Sequence, residues 1–343
     1  MLWTKRILLT VFLVILGLIG IGSAWQAWSA ARDAKRFPMP GVLIDVGGRK
    51  LHLYCSGQGS PLVLLENGLG ADFSAWQRVQ RGVAKFTRVC SYDRAGMGWS
   101  ESSNNPTQAQ YVVADLHTLL AKADIQGPLI LVGWSAGGVF ARRYLREYPK
   151  GIVGLVLVES SHEQQGKRMP KFPGQAAADA DQNRTLTLCR FTQWTGLERA
   201  LGVFNKIAEA QLANAAERPG FVAIANQSDF CAGIQHENAG FPADVQSDIP
   251  PASLGALPLV VLTRGKTMLP SDLPFPVGAE DLRKASAAWF AMQAELAVLS
   301  TRSTHRRVAG SGHSIPLERP YALVAALRDM VTASADTLIT TQR

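Results

Sequence analysis

The chain has 343 residues, of which 47% are hydrophobic and 18% are charged. This composition supplies enough apolar material for a globular core and excludes a disordered chain. The formal net charge is +8, but no basic run carries interleaved aromatic residues, so we expect no nucleic-acid partner. His and Cys residues are not grouped at the spacing of metal ligands, and we expect no metal site.

The first 36 residues predict a membrane segment. Lys5 and Arg6 precede an uninterrupted apolar run over residues 7–24, which is about the minimum length that spans the hydrocarbon core of a bilayer. Trp25 and Trp28 follow the run, as is typical of a membrane–water interface. We predict that residues 1–36 are a transmembrane anchor that holds the rest of the chain outside the cytoplasm. The alternative is a cleaved signal peptide and a secreted protein, because small residues follow the run.

Beyond a linker over residues 37–41, short strand patterns alternate with helical patterns. The predicted strands cover residues 42–46, 51–55, 61–66, 86–92, 129–132, 152–158, 257–262 and 307–308. Gly47-Gly48 joins the first two strands, which is the signal of an antiparallel hairpin. Helical patterns separate most of the others. This alternation predicts an α/β fold with a mainly parallel sheet.

The pattern changes over residues 163–256. This stretch is rich in Ala, Gln and Asn, contains helical pieces and lacks a clear strand pattern. We predict a mostly helical insertion, after which the α/β alternation resumes. The predicted organisation is an N-terminal segment over residues 1–36, an α/β core over residues 37–162 and 257–343, and a helical insertion over residues 163–256.

The sequence Gly133-Trp-Ser-Ala-Gly137 joins a buried strand pattern to a helical pattern. Its two glycines let the chain turn sharply, which leaves Ser135 at the tip with its hydroxyl exposed at a helix N-terminus. We interpret Ser135 as a nucleophile. The alternative is a Gly-rich turn with an incidental serine.

Three landmarks, in their order along the chain, resemble the α/β-hydrolase superfamily, and the resemblance covers most of the chain after about residue 42. They are Tyr92-Asp-Arg-Ala-Gly-Met-Gly-Trp-Ser100 after a strand, the turn at residues 133–137, and Ser311-Gly-His-Ser314 near the C-terminus. The resemblance implies a mainly parallel eight-stranded sheet flanked by helices, with residues 163–256 as a cap over the active site. It also implies a capped serine hydrolase of the lipase, esterase or aminopeptidase kind.

The resemblance assigns roles to Ser135 and His313. A serine hydroxyl is barely nucleophilic at neutral pH and needs an adjacent base. His313 lies in a Gly-flanked loop after the last predicted strand, where this fold supplies its histidine. We therefore predict Ser135 as the nucleophile and His313 as the base.

The acid that orients His313 departs from the commonest pattern of the superfamily. That pattern places an Asp directly after the strand over residues 257–262, where this chain has Thr263-Arg-Gly-Lys266. Some relatives supply the acid after the preceding strand, where this chain has Glu159. Because a carboxylate directly after a buried strand is costly to bury unless it is paired, we favour Glu159 over the alternative Asp272, with Glu163 as a weaker candidate.

The resemblance also implies an oxyanion hole and a pocket. Two backbone N–H groups must point at the developing charge, and we assign them to Leu69 and Ala136. Asn67, Trp134 and His162 are predicted to line the substrate pocket. In the insertion, an apolar wall of the pocket and the cap's own core both remain open as roles for the aromatic residues Phe191, Trp194, Phe204, Phe221 and Phe230.

Four cysteines are present, an even count that is compatible with disulfides in an oxidising compartment. In the superfamily fold the strands of Cys55 and Cys90 are expected to be neighbours, and Cys189 and Cys231 both fall in the cap. Bridges and buried thiols remain open for both pairs.

The sequence therefore predicts a serine hydrolase that acts through an acyl-enzyme on a small acyl compound, most readily a carboxylic ester, with neither metal nor cofactor. A serine at the turn argues against dehalogenase or epoxide-hydrolase chemistry, which uses an aspartate there in this superfamily. Amides, thioesters and C–C bonds remain alternative substrates. A non-catalytic binding protein of the same fold is the alternative from another class.

Overall fold

The computed structural model describes residues 2–212, 214–227, 229–273 and 275–341. An 8-stranded sheet has the spatial order β1-β2-β4-β3-β5-β6-β7-β8. The strands are β1 Val42–Asp45, β2 Lys50–Ser56, β3 Leu62–Glu66, β4 Val89–Tyr92, β5 Leu129–Trp134, β6 Ile152–Val158, β7 Leu259–Arg264 and β8 Ser303–Val308. The pairs β1–β2 and β2–β4 are antiparallel, and all other pairs are parallel. The predicted fold class is confirmed.

The helices precede the sheet, lie on both of its faces and fill the segment between β6 and β7. They are α1 Leu2–Arg36, α2 Gln77–Val83, α3 Ala109–Lys122, α4 Ala136–Glu147, α5 Gln165–Arg168, α6 Gln175–Thr192, α7 Leu197–Ala200, α8 Val203–Gln211, α9 Arg218–Gln227, α10 Phe230–Gly240, α11 Ala279–Ala297, α12 Ile315–Glu318 and α13 Pro320–Thr341.

The central strands β5 and β6 have no polar side chain apart from the indole of Trp134, because both faces of the sheet are covered. Alternate side chains of a strand point to opposite faces, and in β5 Ile130 and Val132 belong to one core cluster while Leu129 and Leu131 belong to the other. This double burial is what continuous apolar runs indicate in a parallel sheet.

Two strand predictions differ from the structure most, by three residues or more at the start of the strand. The predicted strand over residues 86–92 begins only at Val89, because the amides of Phe86 and Thr87 donate to the carbonyl of Val83 and complete the end of α2. The strand predicted at residues 307–308 extends back to Ser303. Its sequence is polar and mostly exposed at the sheet edge, so no apolar run reveals it.

Residues 163–256 contain α5 to α10. A separate core cluster holds them together and comprises Cys189, Phe204, Ala208, Phe221, Ala225, Phe230 and Cys231. A disulfide between Cys189 and Cys231 joins α6 to α10. A second disulfide joins Cys55 to Cys90 at directly paired positions of β2 and β4.

The N-terminal helix α1 is the one described helix that is long and apolar enough to cross a membrane. Its apolar side chains from Ile7 to Leu18 are exposed, whereas Gln26 and Ser29 are buried. The Gln26 side chain donates to the carbonyl of Asn226 at 2.7 Å. The second half of α1 is therefore docked on the helices between β6 and β7.

A fully buried ion pair fixes the loop that follows β4. Nδ1 of His52 lies 2.7 Å from Asp93, and Nε2 lies 2.5 Å from the carbonyl oxygen of Pro40. Asp93 also accepts from the amides of Phe73 and Trp99. Burial alone would lower the pKa of His52, but the hydrogen bond and charge of Asp93 raise it above 6.5. Acceptors on both ring nitrogens indicate an imidazolium.

We predict that His52→Gln destabilises the protein by about 3–5 kcal/mol at pH 6, because it removes one partner of a buried ion pair. A raised pKa in the folded state means that the proton stabilises the fold fully below pH 6.5 and that this stability is lost as the pH rises through the raised value. The gap between wild type and variant should therefore shrink towards pH 9. Urea unfolding of the detergent-solubilised chain measures it, with the exposed His117→Gln as control. A gap that stays constant with pH would contradict a buried imidazolium.

Candidate active site

Ser135 occupies a strained turn between β5 and α4. Its φ is 54° and its ψ is −122°, a region that non-glycine residues rarely adopt. The turn is tight enough that a Cβ on Gly133 would lie 2.4 Å from the carbonyl oxygen of Gly137. The Ser135 amide donates to Val158 at 3.0 Å, and its carbonyl accepts from Ser161 at 2.9 Å. These bonds to the end of β6 and the residues after it hold the strained serine in place.

His313 lies in the loop after β8 and contacts Ser135. Its Nε2 is 3.0 Å from the serine Oγ. The loop is held from two sides, because the indole of Trp134 donates to the carbonyl of His313 at 3.1 Å and the amide of Gly312 donates to Glu318 at 2.8 Å. The imidazole is thus set at hydrogen-bonding distance from the serine hydroxyl.

Glu159 follows β6 directly and is completely buried. Its Oε2 lies 3.1 Å from Nδ1 of His313. Its carboxylate also accepts from the amide of Arg264 at 2.7 Å and from the indole of Trp289 at 3.1 and 3.2 Å. A carboxylate at Nδ1 fixes the tautomer that presents a lone pair on Nε2 to Ser135.

The other two candidate acids bind arginines instead of His313. Asp272 accepts from Nη2 of Arg264 at 2.6 Å. Glu163 forms a two-point pair with Arg142 at 2.8 and 2.9 Å. Of the carboxylates that the sequence singled out, the structure brings only Glu159 to the imidazole.

The loop over residues 67–70 passes beside the serine. A Cβ on Gly68 would lie 3.2 Å from the Cβ of Ser135, so glycine permits this approach. The backbone amides of Leu69 and Ala136 donate to no other group in the described part of the chain. Both are therefore available as donors to a ligand.

A buried guanidinium holds this loop. Arg94 donates to the carbonyl oxygens of Asn67 at 2.7 Å and of Gly68 at 2.6 Å. It also donates to Glu237 of α10 at 2.7 Å, and the second oxygen of Glu237 accepts from the amide of Gly70 at 2.5 Å. Burial alone would lower the pKa of Arg94, but the charges of Glu237 and Glu66 raise it above its ordinary value. The loop is thus clamped between β4 and the segment inserted after β6.

The three residues predicted to line the pocket have other contacts. Asn67 is buried, and its side chain donates to the carbonyl of Tyr92 at 3.2 Å. Trp134 is buried against the His313 loop. His162 is fully buried, burial lowers its pKa, and no hydrogen bond joins it to Ser135 or His313 in the described structure. Contact of these residues with a substrate stays a prediction.

Sequence reasoning missed three residues of the site. Arg94 belongs to the motif over residues 92–100, but the sequence does not reveal the groups to which Arg94 donates. Glu237 and Trp289 have no local signal, because each reaches the site from a helix more than 100 residues away in sequence from its partner.

Comparison with known proteins agrees with this fold. Residues 61–216 match the model of a family described as "alpha/beta hydrolase fold". The "Probable transporter efuK" of Hormonema carpetanum is 35% identical over 136 residues, which cover 37% of this chain and 20% of that protein. The chain thus spans about a fifth of that relative.

Two solved structures share the fold along their whole length. An esterase from Exiguobacterium antarcticum has a TM-score of 0.63 at 16% identity and covers 85% of this chain and 99% of its own. The epoxide hydrolase CorEH has a TM-score of 0.58 at 16% identity, with 85% and 98% coverage. The chain therefore has the α/β-hydrolase fold, and its residues 61–216 are similar to the family of that name.

We predict that Glu159→Gln lowers the rate constant with which a fluorophosphonate probe labels Ser135 by about 10⁴-fold, because an amide at this position no longer fixes the productive tautomer of His313. The matched Asp272→Asn should retain most of the reactivity, since Asp272 contacts Arg264 and not the imidazole. Labelling kinetics on the purified full chain measure both, with melting temperatures as the control for folding. An equal loss in the two variants would contradict Glu159 as the orienting acid.

Proposed function

We propose that Ser135, His313 and Glu159 form the catalytic triad of a serine hydrolase that cleaves a carboxylic ester through an acyl-enzyme. The observation that carries this proposal is the unbroken chain of hydrogen bonds from Glu159 through His313 to Ser135, at 3.1 and 3.0 Å. A non-catalytic protein has no need of this alignment, nor of the strained serine backbone.

In this mechanism Oγ of Ser135 attacks the ester carbonyl while Nε2 of His313 takes its proton. The tetrahedral oxyanion accepts hydrogen bonds from the amides of Leu69 and Ala136. His313 then protonates the departing alkoxide, and the alcohol leaves. Water attacks the acyl-enzyme with His313 again as base, which releases the acid and restores the serine. Glu159 accepts from Nδ1 of His313 and stabilises the imidazolium.

The chemistry at Ser135 favours acyl transfer over the other reactions known for this fold. A hydroxyl nucleophile paired with a base forms an ester intermediate that water hydrolyses. An alcohol oxygen leaves the tetrahedral intermediate more readily than an amide nitrogen, so an ester demands less of the site than an amide. Amides, thioesters and C–C bonds are the alternatives that a substrate panel would separate.

We further propose that α1 anchors the protein in a membrane and that the remainder lies outside the cytoplasm, with residues 163–256 as a cap over the site. The exposed apolar half of α1 supports the anchor. The two disulfides support an oxidising compartment. The contact of Glu237 with the loop beside Ser135 supports the cap.

Ser135→Ala is expected to abolish hydrolysis of p-nitrophenyl esters of graded acyl length while leaving the melting temperature within a few degrees. Loss of the triad nucleophile lowers kcat by about 10⁶-fold. The control is Ser74→Ala, which removes a hydroxyl elsewhere in the core domain. Ester turnover that survives in Ser135→Ala, at the wild-type rate and after repurification, would sink the assignment.

The Arg94 clamp generates a second prediction. In a trans peptide the N–H points away from the C=O, so Arg94 at the Gly68 carbonyl turns the Leu69 N–H to the opposite side. In Glu237→Gln, the side-chain N–H₂ group faces the donors of Arg94 or Gly70 and cannot accept from them, which loosens the clamp. We expect kcat to fall by about 10- to 100-fold with KM nearly unchanged, somewhat less than the loss of a whole oxyanion donor.

Steady-state kinetics on one ester measure this effect. The matched control is Glu209→Gln on the exposed surface of α8, which should leave both constants unchanged. If Glu237→Gln alters KM alone, the clamp shapes the pocket and does not position the oxyanion hole.

A further inference from the structure

A patch of exposed large apolar side chains covers part of the segment between β6 and β7. We call it the cap patch, and it consists of Leu188, Phe191, Trp194, Leu197 and Leu201, which are 62%, 68%, 59%, 41% and 60% exposed. Single exposed apolar residues are ordinary. Five within residues 188–201 are not, and the other aromatic residues considered in this segment, Phe204, Phe221 and Phe230, are buried in its core.

The residues of the cap patch lie on the helix α6, on α7 and its C-terminal end, and in the turn between the two helices. Leu188 and Phe191 lie one helical turn apart on α6. Leu197 begins α7, and Leu201 follows it by one turn, directly after the end of that helix. Trp194 lies in the short 3₁₀ turn between the two helices, and its indole donates to the carbonyl of Phe191 at 2.8 Å. The turn packs against both helices.

The same turn is fixed against α1. A Cβ on Gly22 would lie 2.4 Å from the carbonyl oxygen of Thr195, and one on Gly196 would lie 3.1 Å from the carbonyl oxygen of Gly22. Arg199 donates to Gln26 at 2.8 Å and to Asp33 at 2.6 Å. These close contacts place the turn of the cap patch beside Gly22 and the helix α7 beside Gln26 and Asp33.

The part of α1 that makes these contacts begins near the end of the apolar run. The run over residues 7–24 has a helical length of about 27 Å, close to the thickness of roughly 30 Å of a bilayer's hydrocarbon core. Lys5 and Arg6 mark one boundary, and the half-exposed Trp25 and Trp28 mark the other. Side chains fixed beside Gly22 therefore lie at the membrane–water boundary.

We propose that the cap patch inserts into the interfacial region of the same bilayer that α1 spans. The inference rests on the proposed span. Phe, Trp and Leu side chains favour the boundary between headgroups and acyl chains. Arg190, which is exposed next to Phe191, suits anionic headgroups. The bilayer surface thus covers the apolar side chains that the protein leaves bare.

The test uses a single introduced cysteine, because the described chain has no free one. The full chain carries a nitrobenzoxadiazole label at Phe191→Cys and is reconstituted into vesicles of phosphatidylcholine and phosphatidylglycerol. Lipids with a nitroxide at a shallow or a deep acyl position then quench the label. Leu201→Cys is a second site in the cap patch, in case Phe191→Cys does not fold.

Two control sites separate the outcomes. Phe12→Cys lies in the exposed apolar half of α1, and Lys150→Cys is exposed before β6, at the sheet edge opposite to Ser135. We expect shallow lipids to quench residue 191 severalfold more than residue 150, and deep lipids to quench residue 12 most. Quenching of residue 191 as weak as that of residue 150, with residue 12 quenched, would overturn the inference and leave the span standing. Absent quenching at residue 12 would overturn both the span and the inference, whatever the ester assay shows.

Discussion

The burial of the Glu159 carboxylate is the constraint on which the site depends. A charge removed from water is costly unless donors replace the lost hydration. Here the donors come from the end of β7, from α11 and from the loop after β8. His313 is one of these donors, so its position follows from satisfying the buried charge. Because Trp289 and the Arg264 amide hold the carboxylate from other directions, the carboxylate has a fixed place from which to orient the imidazole.

Polar contacts attach the segment between β6 and β7 both to the loop beside the serine and to α1. Glu237 binds Arg94 and the amide of Gly70 beside the serine. Arg199 binds Gln26 and Asp33 of α1. A core cluster and the Cys189–Cys231 disulfide hold the helices of this segment together between these contacts.

The sequence predicts those parts of the site that lie directly beside a strand. Ser135 and Glu159 follow continuous apolar runs, and such runs indicate strands buried on both faces. Only part of the strand β8 is predicted, because an edge strand with exposed polar residues has no apolar pattern. The contact of Arg94 with Glu237 is not predicted at all, because 143 residues separate the two. Local periodicity does not show which distant side chains are in contact. The exposure of Phe191 is not predicted either, because a bilayer and a protein core favour the same residue types.

The position of the acid after β6 has a geometric reason. The register pairs Val158 of β6 with Leu262 of β7, so residues after either strand emerge at the same edge of the sheet. An acid after β6 lies one strand farther from the His313 loop, a distance of about 4.8 Å. Glutamate has one more methylene than aspartate and covers part of that distance. At the end of β7 the chain places Arg264, whose amide binds Glu159 while its guanidinium binds Asp272. The end of β7 thus supplies a donor to the carboxylate that we propose as the acid.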